Sequence, residues 1–312
     1  MNQKTPVLTR VTSRKTLSTQ DIALPELSET SESKVEQALG HAMMARLYLN
    51  QGRLNEAEQL YLLALKQQES FFGANHPEVM PFLSDLACFY VNCARYLDAR
   101  FYLERLFAMK LQMKGYLSSA DNLWQLFDVV EMLFTVLTKL GLASEGEKVY
   151  LAVFRALEKE HGTNHKDTLC ALELLGGYYM RTGVYVAARA VLEELLEKRT
   201  RLLGGDSLEL SSTLSKLAQV YDKLHLTYDQ VAVLEHQVQL IDIAHGGVGL
   251  SLASQLVRLG EALSQASATY QCHDFAERAR LIFCRALSLY EKCGEVNSNV
   301  VQNLRLKIKN IA

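Results

Sequence analysis

The chain has 312 residues, 49% of them apolar, and a net charge of −2. It can build a large core, but it has no global basic field for nucleic acid or anionic lipid. Its longest apolar runs fall well short of the ~20 residues that cross a bilayer, so no membrane insertion is expected. Met1 to Asp21 lacks the apolar central block of a signal peptide, which points to a cytoplasmic chain. The 6 cysteines show no CxxC spacing and read as reduced thiols, and no metal or cofactor is expected.

Residues 1–33 are rich in Ser and Thr, interrupted by Pro6 and Pro25, and without apolar periodicity, so a disordered N-terminal tail is expected. Lys4, Arg10, Arg14 and Lys15 lie there without an acid among the first residues, as in a transit peptide. Pro6 and the β-branched run spoil an amphipathic helix, which favours a flexible arm.

From residue 34 onward the chain is helical and periodic. Helix A of the first repeat is predicted near 34–50 and helix B near 54–71, with Gly52 in the turn between them. Ala57, Tyr61, Ala64 and Leu65 share one face of helix B at a 3.6-residue period. A loop glycine follows, and it recurs as Gly73, Gly115, Gly162, Gly204 and Gly246, spaced 42, 47, 42 and 42 residues apart. The residue near the end of each A helix recurs with the same period and the same slip: Tyr48, Tyr90, Leu137, Tyr179, Tyr221 and Leu263. Two independent ladders with one period define a helical repeat array.

The slip places an insertion after Gly115, with Trp124 just beyond it. The fifth repeat has His225 where a turn glycine belongs and Gln230 at the small-residue position. In the sixth, extra residues around SQASATYQCHD are expected to enlarge the turn between its helices. Residues 297–312 carry Val301, Leu304, Ile308 and Ile311 on one stripe and read as a C-terminal capping helix that solvates the open end of the array. The predicted organisation is thus a tail over 1–33, a repeat array over 34–296 and a cap over 297–312.

The columns Ala45, Tyr48, Gly52, Ala57, Tyr61 and Ala64 resemble the tetratricopeptide repeat. With the 42-residue period and the phrases QGRLNEAEQLY and FGANHPEV, they look like its kinesin-light-chain type. The resemblance implies an all-α fold, a right-handed α-solenoid of about six tetratricopeptide helix pairs whose A helices line a concave, peptide-holding groove. In that family an asparagine pair on helix A grips the ligand backbone. The matching positions here are Ala42-Met43, Ser84-Asp85, Glu131-Met132, Glu173-Leu174, Ser215-Lys216 and Val257-Arg258, with no asparagine, so motor-cargo recognition does not carry over.

Period alone marks one further column, near the C-terminal end of each A helix: Asn50, Asn92, Lys139, Arg181, Lys223 and Gln265. Every member is polar and the middle three are basic. They form either a stripe that grips acidic groups of a partner by charge-assisted hydrogen bonds, or helix ends where cations complement the macrodipole. The second reading needs no ligand and is the plainer one. Glu131 and Glu173 would lie along the opposite edge of the groove, which suits a peptide of mixed charge. Trp124 reads either as a partner anchor or, preferably, as a plug for the gap left by the insertion. His161 and His165 have the i, i+4 spacing of a metal pair but flank a loop glycine, and His165 aligns with His76 as a structural loop histidine.

No HExxH, GxSxG, phosphate loop or dinucleotide fingerprint occurs, so a non-catalytic scaffold or adaptor that binds a protein or peptide partner is expected. The alternative is a peptide-sensing regulator whose superhelix changes pitch on binding.

Overall fold

In the computed structural model of the chain, which describes residues 29–113, 115–295 and 298–311, the ladder residues close the turns. One residue past each turn position, the N–H of Arg53, Arg95, Leu142, Val184 or Leu226 donates to the carbonyl of Tyr48, Tyr90, Leu137, Tyr179 or Tyr221, at 2.8–2.9 Å. This six-to-one bond satisfies a helix-end carbonyl that would otherwise lack a donor. It needs a left-handed residue at the turn, supplied by Gly52, Gly141 and Gly183, and by Ala94 and His225, each at φ 57°.

The helices are α1 Glu29–Asn50, α2 Leu54–Phe72, α3 Met80–Asn92, α4 Tyr96–Gln112, α5 Ala120–Lys139, α6 Gly146–His161 and α7 Lys166–Thr182. They continue with α8 Tyr185–Leu203, α9 Leu210–Lys223, α10 Thr227–His245, α11 Leu250–Tyr270, α12 His273–Lys292 and α13 Asn299–Asn310. Odd-numbered helices up to α11 are the A helices and their even partners the B helices, so the fold is an all-α solenoid of six pairs closed by a capping helix. Helix α1 starts at Glu29, earlier than the residue near 34 that the pattern marked. Residues 1–28, the rest of the expected tail, lie outside the described residues. Among the described residues, no helix is long and apolar enough to cross a membrane.

The chain divides into two compact units, one ending at Asp85 and one beginning at Leu86. In the first, α1 and α2 pack face to face with Ala38, Ala45, Ala57 and Ala64 fully buried between them, close enough that larger side chains would force the helices apart. In the second, each helix from α4 to α13 packs on the next. The small-residue rule is strict there: a Cβ on Gly146 would sit 2.9 Å from the Tyr178 ring, and one on Gly260 would sit 2.5 Å from Phe283. The cap helix α13 starts where Ser298 Oγ accepts from the Val301 N–H, and it buries Val301 and Leu304.

Two expectations about the insertions are corrected. Trp124 does not plug the first gap, because it stays 61% exposed, with one edge-to-face contact on Phe127. Tyr116 and Leu117, in a short 3-10 turn after Gly115, fill the space and are buried. The second insertion does not enlarge a turn. Its Ala-, Ser- and Gln-rich sequence has no Gly or Pro to stop a helix, so α11 continues to Tyr270 and α12 starts at His273. The added turn of α11 carries Tyr270 onto Tyr228, with ring centroids 4.3 Å apart.

Candidate functional site

Charged side chains on the A helices of the second unit reach from one repeat to the next. Glu131 on α5 accepts two hydrogen bonds from Arg181 on α7, at 2.6 and 3.0 Å, and a third from the Tyr150 hydroxyl on α6 at 2.7 Å. The guanidinium also lies over the Phe134 ring, 4.5 Å from its centroid. Burial opposes ionisation of Glu131, but the hydrogen bonds from Arg181 and Tyr150 outweigh it and hold the carboxyl below its usual range. Burial and then Glu131 push the Tyr150 phenol up, so it stays a neutral donor.

The next rung joins α7 to α9. Glu173 accepts from Lys216 at 2.6 Å and from Arg199 of α8 at 2.5 Å, and Arg199 also donates to Thr213 Oγ1 at 2.7 Å. Burial alone would raise the Glu173 carboxyl, but these two cations lower it. Each cation of this group thus has an anionic partner, and one acid set against two cations leaves a net positive charge. In the first unit, Arg46 of α1 pairs with Asp85 of α3 at 3.0 Å.

The third rung, from α9 to α11, is built differently. Ser215 and Arg258 are separated by 43 positions, as are Glu173 and Lys216, so they occupy the same place one repeat later. The acid has become a serine, and Arg199 has become Ile241 at the same place on the B helix. Arg258 Nη1 donates to Ser215 Oγ and to Gln255 Oε1, both at 3.0 Å and both neutral. Among the described residues, no other hydrogen-bond partner falls to this guanidinium. Burial pulls its pKa down, and Glu261, one turn along α11, only partly offsets that. The Glu261 carboxylate is itself held by Lys307 of α13.

Arg258 lines a cavity of about 490 Å³ between α9, α10 and α11. Lys223 and Gln265 line it too, together with Gln219, Asp222 and Gln230. Gln230 stands in the column otherwise filled by Ala57, Ala99, Gly146 and Ala188, and its Oε1 is buried without a donor among the described residues.

The structure thus brings two members of the predicted polar column, Lys223 and Gln265, to one cavity, and it ties a third, Arg181, to Glu131. Asn92 and Lys139 end their helices as exposed side chains, and Asn50 does the same in the first unit. Among the described residues, Lys139 and Lys223 take no ion-pair partner. His165 caps α7, its Nδ1 accepting from the Asp167 N–H at 3.3 Å, as His76 Nδ1 does from Glu78 N–H at 3.3 Å. Sequence reasoning missed Arg258, Gln230 and Arg199. The sequence does carry a signal: the cation persists from Lys216 to Arg258 while the acid Glu173 gives way to Ser215 one repeat later.

Two tetratricopeptide-repeat family profiles match the chain, one over residues 42–78 and one over residues 167–226. Among solved structures, the nearly identical TPR-like repeats of a kinesin light chain from Podosopora anserina are 18% identical to it. That match covers 67% of this chain and 97% of that one, at a TM-score of 0.49. BtubC (BKLC) from P. vanneervenii is 19% identical over 72% of this chain and 94% of that one, at a TM-score of 0.46. No curated protein sequence matches the chain.

Proposed function

Given that the chain is a tetratricopeptide-repeat protein, we propose that it is a non-catalytic scaffold or adaptor holding a partner protein or peptide along its A helices. One observation carries this reading. The polar column picked out by period supplies Lys223 and Gln265 to a cavity, and the remaining walls come from the same A helices, from α10, and from Met180 of α7 and Tyr185 of α8. Concave sites of a few hundred cubic ångströms with several convergent polar groups are the usual form of a binding site. The ionic rungs on either side of Glu173 hold neighbouring A helices at fixed spacing, so the binding surface is pre-organised and little ordering entropy is lost on association.

The test is affinity capture from a native extract by the wild-type chain beside a Lys223→Glu, Gln265→Arg variant. Both residues are exposed and outside the ionic rungs, so the variant keeps the fold, checked by matching circular dichroism. Proteins retained by the wild type and lost by the variant are the expected result. Identical captured sets would overturn the assignment of the binding surface to this cavity.

A further inference from the structure

We infer that the chain pairs with a second copy of itself through one face of α1, the face that carries Gly40, Met44 and Leu47. This is separate from the groove, because in later repeats the same columns turn to a neighbouring helix. Met44 stands where Leu133, Leu175 and Leu259 stand, and Leu47 where Val136, Tyr178 and Val220 stand. All of those later residues are buried. Helices α5, α7, α9 and α11 each pack on the B helix before them, and Tyr178 shows the contact. Its ring lies 5.0 Å from that of Tyr150 on α6 and meets the bare backbone of Gly146. On α1 the opposite face is already spent, with Ala38 and Ala45 buried on α2. Met44 and Leu47 are left 43% and 54% exposed.

The shape of the face selects its occupant. Gly40 stands in a column that elsewhere holds Phe82, Val129, Ala171, Thr213 and Gln255, and a Cβ added to it would meet nothing within 4 Å. Packing within the chain does not need this glycine, and it leaves a notch two turns from Leu47. Two α1 helices running antiparallel about a twofold axis set each Leu47 over the other's notch, with the two Met44 side chains together at the centre. A parallel pair would set leucine on leucine and notch on notch. Gln37 and Asn50, both exposed, end the contact where a polar rim is usual. Arg46, beside Leu47, is already paired with Asp85 at 3.0 Å. Charge argues against covering the face with α13 of a second copy instead. Helix α13 buries Val301 and Leu304 and leaves Gln302, Arg305 and Lys309 exposed, and joining it to α1 would desolvate those cations against methionine and leucine. The pairing is therefore isologous and closes at two copies. A single helix face falls below the roughly 800 Å² per partner of a standard interface, so the pair is reversible.

The experiment is analytical ultracentrifugation of the full chain over a wide concentration range, for the wild type and three variants. Leu47→Glu places a charge at the centre of the face, on a side chain exposed enough that the fold should survive. Leu306→Glu is the control, an equally exposed leucine on α13. Gly40→Leu separates pairing from folding. It replaces a glycine inside a helix at a place with open space, so it should raise the melting temperature while blocking the partner's Leu47.

We expect the wild type and Leu306→Glu to pass from monomer to dimer as concentration rises, and Leu47→Glu to stay monomeric. Gly40→Leu should need at least about tenfold more protein for half-association. A wild type that remains monomeric up to about 0.5 mM overturns the inference and leaves the face to a helix of another protein. A dimer that survives Leu47→Glu places the contact elsewhere and overturns it as well. Species larger than a dimer that vanish in Leu306→Glu mean head-to-tail stacking and overturn the closed pair. A dimer lost in Leu47→Glu but untouched by Gly40→Leu keeps the face and overturns the antiparallel register.

Discussion

Two successive rungs of this array occupy the same place in their repeats and solve opposite problems. At Glu173, one carboxylate sits between Lys216 and Arg199, so both cations have an anionic partner. At Ser215, the carboxylate is gone and Arg258 faces a cavity with neutral partners. The first rung is a fastener between helices. The second is the same fastener with one half missing. In a repeat protein, where each copy packs on its neighbours by the same rules, function is visible as the copy that departs from the rule without collapsing.

The largest effect should come from breaking the closed rung. Glu173→Gln leaves Arg199 and Lys216 beside each other without an anion, at a place where the Arg199 side chain is only 13% exposed. A loss of about 3 kcal/mol is expected, against less than about 1 kcal/mol for Arg258→Gln, whose rung has no acid to orphan. Urea unfolding of both variants checks the difference, and equal losses would erase the contrast. The pH dependence follows the same logic. The Glu173 carboxyl is held below its unfolded value, so its stabilisation is complete above the ordinary glutamate range and disappears as pH falls through the lowered folded value. The Gln variant should therefore show a flatter acid limb of stability against pH.

Much of this architecture was legible from the chain, because its turns depend on local chemistry. The ladder of Tyr48, Tyr90, Leu137, Tyr179 and Tyr221 proved to be the set of carbonyls that accept the turn bonds. The two insertions were located correctly but their form was not. Whether SQASATYQ extends a helix or widens a loop depends on what α10 offers to Tyr270, and Tyr228 is a long-range partner. The rungs were illegible for a similar reason. Glu173 meets Lys216 and Ser215 meets Arg258 at an offset of 43, one more than the repeat. That extra position reflects the stagger between stacked helices, which no single repeat encodes. Reading columns at 42 aligned equivalent residues but did not pair contacting ones.

Lys110 sharpens the comparison from another side. Like Arg258 it is a cation with neutral hydrogen-bond partners, here the Tyr116 hydroxyl and Gln125 Oε1, and it is only 5% exposed. A lysine can respond to burial by losing its proton, and burial pulls its pKa down to about 8, with Asp128 partly opposing. The folded value is below the unfolded one, so the unfolded chain binds the extra proton between them and stability rises with pH from about 8. Above pH 10 the Tyr116 phenol, pushed up to about 12 by burial, reverses the trend. Lys110→Met should stabilise the chain at pH 7 by about 2 kcal/mol and abolish the rise between pH 8 and 10. Thermal melts across that range decide it; a rise that persists in the Met variant would mean another group is responsible.

Smaller effects come from repairing the open rung. Ser215→Glu should pair with Arg258 and add about 1 kcal/mol, the value of one charge-assisted bond in a partly exposed site. A melting temperature below that of the wild type would show that the cavity cannot admit the longer side chain, and that Arg258 is not poised for an anion there.

The smallest change, and the one that separates the two halves of the cavity, is Gln230→Ala. It returns the column to the residue found at Ala57, Ala99 and Ala188. The variant removes a buried carbonyl that has no donor, which favours folding, and widens the cavity, which does not. The two terms are of similar size and opposite sign, so stability should move by less than about 1 kcal/mol. The carbonyl oxygen is closed to solvent, so a ligand in the cavity does not reach it. A partner held in the cavity should therefore bind the variant within about twofold of the wild type, while the melting temperature barely changes. A loss of binding in Gln230→Ala as large as that in Lys223→Glu would mean that the side chain turns into the cavity when a partner binds.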